Sequence, residues 1–152
     1  MKRIIAPPLA IYAVTTIAGV WLTRRSPMEI VGEGHGPLLW IAGGAIAAAS
    51  GAIALWARNV MKRAKTTLNP YKVASSIITD GPFAYTRNPM YLALLMLYAT
   101  LALILDSLWM PLAGALYFVL MQFGVIPVEE QALRDKFGAE YEEYTKKVRR
   151  WV

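Results

Sequence analysis

Two short groups of residues carry the chemistry this sequence can offer. The first is Arg87-Asn88, directly before Pro89. A proline at the first helical position needs no N–H, and it disfavours helix at the residue before it. Arg87 and Asn88 therefore stand at the mouth of a helix beside its exposed N–H groups, a place suited to an anion such as a carboxylate. The plainer reading of the same segment is a topology anchor with an aromatic belt of Phe83, Tyr85 and Tyr91. The second group is Glu129-Glu130, just after Pro127 at the end of an apolar run. Carboxylates beside hydrocarbon are unfavourable unless a partner compensates them. Two accounts stay open: favourable charge at the start of a new helix, or carboxylates that hold a ligand.

Past these glutamates, Leu133, Phe137, Tyr141, Tyr144, Val148 and Trp151 recur at helical spacing. They predict one apolar stripe on a C-terminal amphipathic helix lying at the membrane surface, with charged residues opposite and Gly138 as a bend or break. Other chemistries are excluded. The chain has no cysteine, so disulfides, thiolate metal sites and a cysteine nucleophile are ruled out. Its single histidine, His35, reads as a solvated loop residue, and no metal site is expected. Gly32-Glu33-Gly34-His35-Gly36 has glycine spacing but follows no strand, so it is rejected as a phosphate cradle.

The elements that must position these groups are helices in a membrane. Hydrophobic residues make up 57% of the 152, above the roughly 45–50% of soluble domains, and mean hydropathy is +0.40. The excess gathers in four runs, 4–22, 38–57, 91–105 and 108–126. The first, second and fourth are near the length a membrane helix needs. The third, with 15 residues, is expected to begin a turn earlier near Pro89 or to tilt against a thinned bilayer. Asp106-Ser107 alone separates the last two, so they read as a tight helical hairpin, with Pro111 in the first turn of the fourth helix. The first run resembles a signal peptide but is long and followed by Arg24-Arg25, so it is expected to stay as a helix. Gly43, Ala47 and Gly51 on the second run form a stripe suited to close helix packing.

Orientation follows from lysine and arginine. With four spans, every one of the 16 except Arg24 and Arg25 lies on one side, which predicts both termini in the cytoplasm. The charge of +6 is explained by contact with anionic headgroups, and no nucleic-acid partner is expected. The expected organisation is one all-α membrane domain over 1–152. Two N-terminal helices occupy 1–57, a cytoplasmic loop 58–90, the hairpin 91–126 and a cytoplasmic tail 127–152.

Taken in order, Gly81-Pro82-Phe83-x-Tyr85-x-Arg87-Asn88-Pro89-Met90-Tyr91, the hairpin, and Glu129-Glu130-x-x-Leu133-x-x-x-Phe137-Gly138-x-x-Tyr141-x-x-Tyr144 resemble a known superfamily. It is that of the isoprenylcysteine carboxyl methyltransferases and phospholipid methyltransferases. The likeness covers about 66–151, including Thr66-Thr67-Leu68-x-Pro70. It implies a helical membrane fold in which the loop before the hairpin and the tail close over S-adenosylmethionine. By position, Arg87, Asn88, Pro89 and Tyr91 would line the cofactor site, with Tyr85 beside them, and Glu129 and Glu130 would hold its polar groups. Many relatives carry histidine at Asn88, and asparagine cannot carry a proton. Some carry an arginine where this chain has Gln122-Phe123-Gly124.

The acceptor this implies is a lipid or a lipidated small molecule. A prenylcysteine carboxylate needs no base, whereas a phosphatidylethanolamine ammonium must first lose a proton. Glu130 is the candidate for that task, Arg87, Arg134 and Arg149 are candidates for a lipid phosphate, and Tyr85, Tyr91, Tyr141 or Tyr144 for the sulfonium. The phospholipid amine is favoured over the prenylcysteine, and a non-catalytic membrane module is the reading from another class.

Overall fold

The computed structural model describes residues 6–32, 36–64 and 76–152. The expectations placed on Lys2, Arg3, His35 and the 66–70 segment lie outside the described residues. Among the described residues the chain is all helical, with no strand. The helices are α1 (Pro8–Arg25), α2 (Pro37–Arg63), α3 (Pro89–Ile104), α4 (Trp109–Leu120), α5 (Ile126–Phe137) and α6 (Ala139–Lys147). A 3-10 turn (Gly81–Ala84) precedes α3, and a π-turn (Met121–Val125) joins α4 to α5. α1, α2 and α3 each begin on a proline, where the missing N–H costs nothing.

Two helices are long and apolar enough to cross a membrane, α2 and the continuous Trp109–Phe137 helix, and α3 is a shorter apolar one. At 1.5 Å per residue α3 spans about 24 Å. α2 runs to Arg63, so Arg58, Lys62 and Arg63 belong to its last turns rather than to a loop. There the cations face the helix C-terminus, whose partial charge they complement.

The larger surprise is at Pro127. A proline inside a helix loses one hydrogen bond and crowds the carbonyl four residues back. Here the helix does not stop. The π-turn widens it by one residue just before the proline, with the Ile126 N–H reaching back to the Met121 carbonyl, and such a turn relieves the crowding. Glu129 and Glu130 therefore sit inside a continuous helix, and no new helix begins beside them.

α2 packs chiefly on α3, and α1 on α4. Between α1, α3 and α4 lie the edge-on rings of Tyr12 and Tyr98, 5.2 Å apart, with Tyr117 beside both. The Tyr98 hydroxyl pairs with Thr15, so its polar end is satisfied in an apolar interior. On α2, Gly43 lies so close to α3 that a Cβ would stand 2.9 Å from Ile104. Gly51, expected to share that stripe, instead faces open space, and neighbouring Ser50 makes the contact by donating to the Ala93 carbonyl at 2.7 Å.

The bundle has two differently built ends. At one, the α3–α4 turn is clasped to the 26–32 loop. Asp106 accepts from the N–H groups of Ile30, Val31 and Gly32 at 3.0, 3.0 and 2.9 Å, and the Leu108 N–H donates to the Met28 carbonyl. At the other end the 3-10 turn, the start of α3, α5, α6 and the last residues of the chain come together.

Candidate active site

The site begins with backbone. Gly81 has φ +60°, and a Cβ there would stand 2.8 Å from Val60, so glycine alone fits this turn against α2. The turn delivers Thr86, Arg87 and Asn88 to the mouth of α3. After Lys147 the chain leaves the helix in an extended conformation at Val148 and crosses that mouth as a strap. The Arg87 N–H donates to the Arg149 carbonyl at 3.0 Å. The Thr86 hydroxyl and the Asn88 amide both donate to the Arg150 carbonyl, at 3.2 and 2.9 Å. Trp151 ends the strap, its indole N–H donating to the side-chain Oε1 of Gln122 at 2.8 Å and its ring on Phe118.

Glu130 is the hub. It is only 4% exposed, and three guanidiniums surround it. Arg150 donates to both its oxygens at 3.0 and 2.7 Å, Arg87 approaches at 3.1 Å, and Arg134 at 3.9 Å. Two-point arginine contact of this kind fixes geometry as well as charge. The hydrogen bonds to Glu130 hold Arg150 above the ordinary guanidinium range.

Glu129, one residue earlier, has a different setting. Among the described residues its hydrogen-bond partner is the Tyr91 hydroxyl, at 2.7 Å, and no cation pairs with it. The apolar stretch of this helix ends at Ile126, and the charged residues from Glu129 onward extend past it. Burial pushes the Glu129 carboxyl up to about 7; the Tyr91 hydrogen bond opposes this and the charge of Glu130 adds to it. Tyr141 is buried, and burial raises its phenol; Arg87 donates to its hydroxyl at 3.2 Å. The Tyr144 hydroxyl donates to the Phe83 carbonyl at 2.7 Å and so ties α6 to the 3-10 turn.

These groups enclose a cavity of about 110 Å3. Arg87, Asn88, Glu129, Glu130, Tyr141 and Tyr144 line it, and Ile126 and Leu133 form its apolar wall. The Arg87 Nε–H is buried without a hydrogen-bond partner.

Of the residues singled out from sequence, the structure brings Arg87, Asn88, Tyr91, Glu129, Glu130, Tyr141 and Tyr144 together, with buried Pro89 starting α3 beneath them. Arg134 stands at the rim, over the Tyr141 ring at 5.8 Å and bonded to Glu142 at 2.8 Å. Two lie apart: Tyr85 is 70% exposed, and Arg149 contributes its carbonyl while its residue is exposed. Leu133, Phe137, Tyr141, Tyr144 and Val148 do form one cluster, but Trp151 leaves it for the α1–α3–α4 core. Sequence reasoning missed Arg150, Thr86 and Gln122. The signal for Arg150 was the demand of a buried Glu130 for compensating charge.

Fold and site together define a helical membrane protein with a charged centre where its last long apolar helix emerges, closed over by its own C-terminus. A family model described as phospholipid methyltransferase matches residues 38–140, and the chain belongs to that family. The match starts earlier than the motif likeness, at α2, and includes both the Arg87-Asn88 and Glu129-Glu130 groups. No curated protein matches the chain.

Proposed function

We propose that this chain transfers a methyl group from S-adenosylmethionine to a lipid-like acceptor at the cytoplasmic membrane face, with a phosphatidylethanolamine-type amine as the favoured acceptor. The observation that carries this reading is a pair of complementary polar groups in one cavity. Glu129 is a carboxylate drawn out of water with no cation beside it among the described residues, and the Arg87 Nε–H is a buried donor with no acceptor. A buried carboxylate calls for a cation, and a buried orphan donor calls for an acceptor. The amino-acid end of S-adenosylmethionine carries a carboxylate beside positive charge, so these residues fit it. The cofactor, when bound, supplies a methyl group on a positively charged sulfur.

The chain's own residues do the rest. Arg87 and Asn88 orient a carboxylate at the helix mouth, supported by Pro89, and Tyr91 holds Glu129 in place. Both Glu130 oxygens already accept from guanidiniums, so Glu130 holds the strap and Arg87. Glu129 is committed to the positive end of the cofactor, so the proton that an acceptor ammonium must lose is shed as the ammonium is desolvated at the cavity mouth. Tyr141 and Tyr144 shield the cavity from water, Arg134 at the rim meets a lipid phosphate, and Arg149 and Tyr85 face the headgroups. The cavity is smaller than the roughly 300–1,000 Å3 of small-molecule sites, so it accepts one polar end of a ligand while the strap lies closed.

In this reading α1 to α4 span the bilayer four times, with both termini cytoplasmic. The one-sided lysines and arginines support it, as does the gathering of the strap and the 81–88 segment at one end of the bundle. The test is incubation of purified protein with methyl-labelled S-adenosylmethionine and a total lipid extract. Label in mono- or dimethylated phosphatidylethanolamine is expected. Label only on an added prenylcysteine analogue would move the acceptor to a carboxylate. No transfer and no cofactor binding would overturn the reading.

A further inference from the structure

The polar cavity is not the largest hollow in the chain. On the outer face of the α3–α4 hairpin lies an open, apolar groove of about 420 Å3. Tyr98, Ala99, Gly114 and Ala115 form its floor, and Leu95 and Phe118 its flanks. The small residues at 99, 114 and 115 create the hollow. Position 114 admits only glycine, because a Cβ there would stand 2.9 Å from that of Tyr98.

The groove and the charged cavity are joined by consecutive residues of the strap. Arg150 grips Glu130 in the cavity, and Trp151 rests on Phe118 at the groove's end, 5.0 Å between ring centres. On α3 the same continuity runs through Tyr91, which reaches Glu129, and Leu95 and Tyr98, which follow it on one helix face. Along the helix, Phe118 lies about 18 Å from Glu130, and Pro111, at the groove's far end, about 10 Å beyond. A membrane amphiphile with its polar head at the cavity and its chain along the helices lays that chain in the groove.

We propose that this groove seats a hydrocarbon chain of the methyl acceptor, so that the acceptor is held by its chain as well as by its headgroup. The identity of the headgroup rests on the methyl-transfer reading; the seat for the chain does not. Bulk lipid is as apolar as the groove, so the groove gains little from hydrophobicity. Its contribution is position: a chain fixed in the groove fixes the depth and direction from which the headgroup meets the cavity.

The experiment uses the full chain in nanodiscs. Ala99→Trp/Ala115→Trp fills the groove from two exposed positions without touching the core. Methyl transfer is measured to dihexadecanoyl phosphatidylethanolamine and to chainless glycerophosphoethanolamine. The variant is expected to lose about tenfold in kcat/KM on the long-chain lipid and nothing on the chainless one. Equal long-chain rates in parent and variant, or an equal fall on both acceptors, would overturn the proposal. In parallel, a phosphatidylethanolamine with a photoreactive acyl chain is crosslinked to the parent and mapped by mass spectrometry. Adducts concentrated on 95–99 and 111–119 support the groove, and adducts spread evenly over α2 and α4 sink it. If the parent methylates neither acceptor, the function reading fails and the crosslink alone decides the groove.

Discussion

Replacing Arg150 with methionine removes the strap's charged anchor and keeps most of its apolar stem. The lost interaction is a pair of charge-assisted hydrogen bonds to Glu130, at 3.0 and 2.7 Å. The Arg150 side chain is 26% exposed and that of Glu130 5%. Hydrogen bonds to charged groups contribute about 1.5–3 kcal/mol each. Solvent at Arg150 and the remaining partners of Glu130, Arg87 and Arg134, reduce the sum to about 3 kcal/mol. At about 1.4 kcal/mol per tenfold, the open strap becomes roughly a hundred times more populated. The Arg87 amide reports this directly, because its hydrogen bond goes to the Arg149 carbonyl. Amide exchange by mass spectrometry on the 83–90 segment is expected to speed up by about two orders of magnitude, with the interior of α3 unchanged. Adding Glu130→Gln to the variant is expected to speed it little further, since the pair is already broken. An acceleration below about threefold would refute the claim that this pair holds the strap, because it corresponds to well under 1 kcal/mol. So would equal acceleration throughout α3.

Glu129 is raised to about 7 in the folded chain, so folding favours its neutral form: stability falls as pH climbs from the ordinary carboxylate range through about 7. A cation in the cavity favours the ionised form instead, so S-adenosylmethionine affinity, read by calorimetry, is expected to rise up to tenfold per pH unit below 7 and to level above it; Glu129→Gln should flatten that curve and weaken binding. Tyr91→Phe removes the hydrogen bond that opposes the rise, so the midpoint of the same affinity curve should move to higher pH by up to about one unit. Asp106→Ala strips an acceptor from three backbone N–H groups at the far end of the bundle. The cost should be about 2–3 kcal/mol by detergent unfolding, with cofactor affinity unchanged in the folded fraction. Gly114→Ala forces a methyl against Tyr98 and is expected to cost about 1–3 kcal/mol.

Much of this was legible from the residues alone. The apolar runs, the prolines that open helices and the polar Asp106-Ser107 break between two runs all follow from local chemistry. So does the meeting of Arg87-Asn88 with Glu129-Glu130, because the hairpin returns the chain to the end it left. What was not legible depends on backbone phase. Pro127 reads as a helix stop, and only the π-turn before it lets the helix continue. The apolar stripe predicts one helix through Trp151, and on such a helix nothing singles out Arg150. The chain turns extended at Val148, and in extended chain neighbouring side chains point to opposite sides, so Arg150 turns in and Arg149 out. Trp151 leaves the aromatic stripe for the same reason.

The π-turn also makes a statement about length. It holds one residue more than a regular turn, yet the helix on either side keeps its own contacts: Tyr117 in the core before it, Glu130 among arginines after it. One residue of α-helix carries about 100° of rotation. Ironing out the turn with the chain intact would swing everything beyond it by that angle and bring Glu129 to the bearing that Glu130 now holds. Removing one residue between Met121 and Val125 would let the turn close into ordinary helix while both faces kept their bearings. Met121–Val125 is therefore the place where this chain can be shortened without losing its register, and a one-residue deletion inside α4 or α5 is not equivalent to it.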